Sequence, residues 1–205
     1  MIGRLLAATG LAALASTAAG AADIRLQEGP SGLVVAIRLD GKFERQDYYR
    51  LEAIVGELEK RKPVPEMILV LNSPGGAHFE ALRAGLLVQR KGIGTRVMPG
   101  AHCYSACASL FFAGTNRRTR KPDRVAYEGS EIGVHRPSQD LSRSSRLANE
   151  RDERRVYNAV AAYLGDVHIS EKIRAKVLET DPAKLYVLTP ADMAESGITF
   201  VPSTH

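Results

Sequence analysis

Tryptophan is absent from this chain, cysteine occurs only twice, and aromatic residues make up 6% of 205 positions. With no aromatics interleaved among its basic residues, the chain lacks the stacking platforms that nucleic-acid recognition uses. Two cysteines without a neighbouring histidine or cysteine pair leave an incomplete ligand set for a structural metal. Beyond the first twenty-odd residues no apolar run approaches the ~18 residues that a spanning helix needs. No nucleotide motif, internal repeat or low-complexity stretch follows either, and no cofactor is expected. Charge is nearly balanced: 28 Lys+Arg against 23 Asp+Glu, a formal net charge of +5. The basic loop Arg117, Arg118, Arg120, Lys121 and Arg124 reads as solvated. The second basic region, Arg143 to Arg155, alternates with Glu150, Asp152 and Glu153 as an exposed helix face does.

What is present begins with an address. Arg4 is the only charge before Asp23, and Leu5 to Ala19 is apolar and alanine-rich. Ala19-Gly20-Ala21 places small residues where signal peptidase reads them, so residues 1–21 are expected to be a signal peptide cut after Ala21 or Ala22. A membrane anchor is the competing reading, disfavoured because small residues stand in place of a long Leu/Ile/Val run. Residues 22–205 then form a single domain, periplasmic or secreted. Such a compartment permits a disulfide between Cys103 and Cys107; two free buried thiols are the alternative. Four-residue spacing allows the bridge only where the backbone departs from a regular helix.

The mature region alternates strands and helices. Leu33 to Leu39 is a β-rich run closed by Asp40-Gly41, and from Asp47 the spacing of Leu51, Ile54, Val55 and Leu58 predicts a helix. Met67 to Leu71 reads as a fully buried parallel strand, followed by Asn72-Ser73-Pro74-Gly75-Gly76 and a helix over Phe79 to Gln89. Gly94 to Met98 is a third strand. Ala106 to Ala113, small and apolar throughout, is a buried helix, and Ser130 to Val134 is a further strand ending at His135. Helices are expected over about 144–164 and 170–178, and Thr189-Pro190 opens a last short one. This rhythm predicts an α/β fold of short, mostly parallel strands joined by crossover helices.

Three pieces carry chemistry. The Gly75-Gly76 pair after an apolar strand can turn backbone N–H groups toward an oxyanion. Ser105, among small residues entering an apolar helix, is placed to be a nucleophile, and His135 could be its base. In this order and setting the residues resemble the ClpP/crotonase superfamily, and within it the proteolytic subunit of Clp protease. Asn72 to Gly76 is similar to that family's Gly-Gly motif, Ser105 with the helix up to Gly114 to its nucleophile segment, and Val134-His135-Arg136-Pro137 to its histidine motif. Leu188 to Ile198 resembles its closing helix and turn, so the likeness spans about Leu33 to Phe200.

The resemblance implies an exported ClpP-like serine peptidase. Ser105 would be nucleophile, His135 base, and the N–H groups of Gly76 and Ala106 the oxyanion hole. It also implies a homo-oligomer acting on peptides or unfolded protein; members of that family depend on ATPases, but export leaves no ATP, so no ATPase partner is expected outside the cytoplasm. The third triad member departs from the family: Leu185 stands at the position of the orienting aspartate, leaving Asp181 and Asp140 as candidates. Leu185 favours another reading, a non-catalytic relative kept for oligomerisation or peptide binding. An acyl-CoA enzyme of the crotonase branch is the third, opposed by export. His78 reads as a surface helix residue, with a place lining the substrate groove as the alternative, and Tyr104, Phe111 and Phe112 read as core.

Overall fold

The computed structural model describes residues 21–138 and 146–203, and for 146–150 the backbone alone. The expected leader, Ala21 excepted, and Asp140 thus lie outside the described residues. The elements are β1 (Asp23–Glu28), β2 (Val34–Asp40), α1 (Asp47–Glu59), β3 (Glu66–Asn72), α2 (His78–Lys91), β4 (Gly94–Val97), β5 (His102–Tyr104) and α3 (Ala106–Phe111). They continue as β6 (Arg124–Tyr127), β7 (Glu131–Val134), α4 (Arg146–Asp166), α5 (Glu171–Glu179), β8 (Tyr186–Val187), α6 (Pro190–Glu195) and β9 (Ile198–Val201).

A six-stranded sheet in the order β1-β2-β3-β4-β6-β9 is parallel except for β1, and a smaller sheet runs β5-β7-β8. The fold is therefore mixed α/β with mostly parallel strands, as the alternating pattern predicts. In β2 the alternation is strict: Val35, Ile37 and Leu39 are buried, and their neighbours are partly or fully open. The strand feeds one face into the core with Phe43, Leu51, Phe111 and Phe112. β3 departs from the fully buried strand its sequence predicts, since Ile68 on the opposite face is only partly covered.

Helix ends follow their local chemistry. Gly92, with φ 65°, closes α2 in the left-handed conformation that favours glycine. Ser170 caps α5 by accepting from the Ile173 N–H. At α6 the Thr189 hydroxyl accepts from the Asp192 N–H, while the Asp192 carboxylate accepts from the Thr189 N–H, a reciprocal pair.

The short strands β5, β6, β8 and β9 are not predicted by periodicity, and β6 corrects the reading of the basic loop. Arg124 is buried, and its guanidinium donates to the carbonyls of Val167 and Ser196, tying the ends of α4 and α6 to the sheet. Burial pushes it down to about 10. Arg120 donates to the Gln89 and Arg90 carbonyls at the end of α2. Much of this positive charge thus serves the fold. No described helix is long and apolar enough to cross a membrane.

Asp192 is buried and accepts from Thr189, Tyr186 and Lys172. Burial alone would raise its carboxyl, but these donors hold it well below the usual carboxylate range. A depressed folded value gives stability that is full above the unfolded value and lost as pH falls through the folded one. Asp192→Asn is expected to cost about 2 kcal/mol at neutral pH. It should also flatten the stability curve below about pH 4, as read by urea melts across pH.

Candidate active site

Backbone convergence builds this site. β5 ends at Tyr104, and the chain turns through Ser105 into α3. Ser105 has φ 55° and ψ −121°, backbone that a residue with a side chain avoids at a cost of about 1–3 kcal/mol. Its N–H donates to the Gly133 carbonyl at 2.9 Å, and its carbonyl accepts from Ala108 at 3.0 Å, which pins the turn from both sides. Cys103 and Cys107, buried on either side of Ser105, form a disulfide across it with their Cα atoms 5.2 Å apart. The geometry works because one cysteine lies in a strand and the other in a helix.

The Gly75-Gly76 segment lies directly against this turn. A Cβ on Gly75 would stand 2.7 Å from the Tyr104 carbonyl and 3.0 Å from the Ser105 Cβ. A Cβ on Gly76 would overlap the Phe43 carbonyl. Phe43 donates to the Gly75 carbonyl and accepts from the Ala77 N–H, both at 2.7 Å, so the segment is held on its far side as well. Among the described residues, neither the Gly76 nor the Ala106 N–H has a hydrogen-bond acceptor.

His135 follows β7, whose register sets Gly133 beside Tyr104, so His135 and Ser105 leave matching ends of neighbouring parallel strands. Its Nδ1 lies 2.8 Å from the Arg136 carbonyl oxygen. A carbonyl can only accept, so Nδ1 carries the proton and Nε2 the lone pair. Among the described residues no hydrogen bond joins Ser105 Oγ to His135. Such contacts often form only when substrate is bound.

The acid positions behave differently. Val134 pairs with Tyr186, which makes Leu185 the cross-strand neighbour of His135. Leu185 also packs over Gly133, where an added Cβ would meet its methyls at 2.8 Å. Asp181 is exposed, and its carboxylate accepts from the Ala183 N–H of its own turn at 2.8 Å instead of reaching His135. No carboxylate among the described residues bonds His135; the Arg136 carbonyl takes that place.

Two residues differ from their sequence reading. Tyr104 is not core: it stacks on His102 with ring centres 4.7 Å apart, and its hydroxyl donates to Glu131. His78 is not a plain surface residue. It opens α2 and lines a cleft of about 470 Å³ with Gly76, Phe79, Ser138 and Val156. Burial, with His135 nearby, pushes its imidazole down to about 4 against the opposing pull of the Ser138 backbone. The available signal was its place two residues after Gly76.

No family model matches the chain, and no curated protein matches it in sequence. In fold, 561 solved chains match, so the likeness does not hang on a single structure. One of them is the 1510-N membrane-bound stomatin-specific protease, solved as a serine-to-alanine mutant. It is 18% identical with a TM-score of 0.58, over 83% of this chain and 78% of the protease. At that identity the likeness defines the architecture: the chain has a ClpP-like α/β fold.

A histidine whose folded value is lowered binds its proton later than the unfolded chain does. Its contribution is therefore full above about pH 6.5 and lost as pH falls toward 4. His78→Asn should remove up to about 3 kcal/mol of this acid sensitivity, read as the difference between two urea-melt series over pH 7 to 4.

Proposed function

We propose that this chain is an exported serine peptidase. The observation that carries the reading is Ser105 on a strained strand-to-helix turn, flanked by the unpaired N–H groups of Gly76 and Ala106. In this reading Ser105 Oγ attacks the scissile carbonyl carbon and its proton passes to Nε2 of His135. The carbonyl oxygen, now an anion, takes the Gly76 and Ala106 N–H groups, each worth about 3 kcal/mol of transition-state stabilisation. The C–N bond then breaks, and the leaving amine takes the proton from His135. Water repeats the sequence on the acyl-serine and frees the acid.

The Arg136 carbonyl supports this role by holding His135 in the tautomer that a base requires. Being neutral, it stabilises the imidazolium less than a carboxylate would, and modest turnover follows. The fold partner named above is a protease, which favours peptide substrates over acyl-CoA. We also propose export by a cleaved leader, self-association, and action on short or unfolded peptides without an ATPase. Leu185 opposite His135 favours a second reading, a peptide-binding relative without catalysis.

A fluorophosphonate probe separates the two. Labelling at Ser105 is expected in the exported protein, and Ser105→Ala should abolish both labelling and peptide hydrolysis with the melting temperature little changed. Equal hydrolysis by mutant and parent would remove the nucleophile assignment. Gly75→Ala, whose new methyl meets Tyr104 and Ser105, should cut labelling by about 100-fold or more, the scale of losing one oxyanion donor. Unchanged labelling would place the oxyanion site elsewhere.

A further inference from the structure

The start of β1 is anchored in an unusual way. Ala22 is 1% exposed, although Ala21 before it is exposed. The Ala22 N–H donates to Asp47 Oδ2 at 3.1 Å, and its carbonyl accepts from Arg50 Nη1 at 2.6 Å. Asp47 is fully buried. Its Oδ2 also accepts from the Glu44 N–H at 2.7 Å, and its Oδ1 meets Arg50 Nη1 at 2.9 Å. A small apolar residue is thus fixed at both backbone groups by a buried carboxylate and its arginine, at one of the two bonds where the sequence allows the leader to end.

We propose that Asp47 and Arg50 form a capture site for the α-ammonium group of Ala22, created when the leader is removed. This rests on the export reading. The leader peptidase hydrolyses the Ala21–Ala22 bond with water; the new carboxylate departs on Ala21 and the new amine stays on Ala22. At neutral pH that amine is protonated. Its nitrogen already lies within hydrogen-bond distance of a buried carboxylate, so a neutral N–H becomes a charge-assisted donor without any movement of the chain. The path vacated by Ala21 opens to solvent, which lets water accept hydrogen bonds from the ammonium's remaining N–H groups.

The same geometry chooses between the two cleavage positions that the sequence leaves open. A cut after Ala22 would remove both the donor to Asp47 and the acceptor for Arg50, leaving a buried carboxylate with fewer partners. A cut after Ala21 keeps both and adds a charge. The clamp also reaches the candidate active site. Asp47 holds the Glu44 N–H, Glu44 follows Phe43, and Phe43 braces Gly75 and Ala77. Leader removal therefore adds to the support behind the oxyanion segment a charge that the precursor lacks.

The test expresses the full chain in an exporting host and takes the intact mass of the processed protein. A start at Ala22 is expected; a start at Asp23 overturns the capture site. Intact Met1 overturns the export reading and the capture site with it. The α-amine is then acetylated at pH 7 in the native protein and in urea, and the modified N-terminal peptide is quantified. An ion pair that raises the ammonium by about one unit lowers the free amine about tenfold. Native acetylation should therefore be about tenfold slower than in urea, and Asp47→Asn should bring the two together. Equal native and urea rates in the parent protein overturn the proposal, and that comparison decides the matter should Asp47→Asn fail to fold.

Discussion

Close approach of three backbones is what the centre of this molecule depends on. The Gly75-Gly76 segment lies between the Tyr104–Ala106 turn and Phe43 with no room for a side chain on either glycine. Hydrogen bonds from Phe43 hold it on one side. On the other, Ser105 is kept in an unfavourable conformation by Gly133 and by α3. Strain at Ser105 persists because its neighbours over-determine it. The two unpaired N–H groups follow directly: Gly76 spends its bonding on neither flank, and Ala106 begins a helix that has no acceptor for it.

Much of this was legible in the sequence, and for identifiable reasons. Asp47–Glu59, His78–Lys91 and Glu171–Glu179 carry long amphipathic patterns, and Thr189-Pro190 is a local cap signal that needs no tertiary context. Gly75-Gly76 and Ser105 were visible as motifs, since their residue types answer to backbone geometry. The strands at His102–Tyr104, Arg124–Tyr127 and Tyr186–Val187 were not legible. They are two to four residues long, too short for a period, and form only because neighbouring strands offer an edge. Arg124 misled most, because a charged residue in a basic run reads as solvated while its partners are carbonyls from distant segments. His78 was read as a surface residue for a like reason: its cover comes from distant residues, Ser138 and Val156 among them.

Leu185 occupies the place across from His135 where the proposed peptidase reading looks for an acid. It fills that place with packing against Gly133. Orientation passes instead to a peptide carbonyl one residue away. Such an acceptor fixes which ring nitrogen of the neutral imidazole carries the proton. It also carries no charge, so some of the electrostatic support of a triad is given up.

The disulfide around Ser105 has a further meaning for the cell that makes this chain. Both cysteines sit in that one bracket, and a bridge between them closes only where thiols oxidise. Inside a reducing compartment the strained turn is spanned by two separate thiols and must hold its shape by hydrogen bonds alone. On the proposed reading, an exported peptidase assembled in this way would reach its working form only after leaving the proteins of its host behind, with self-protection built into the turn at Ser105.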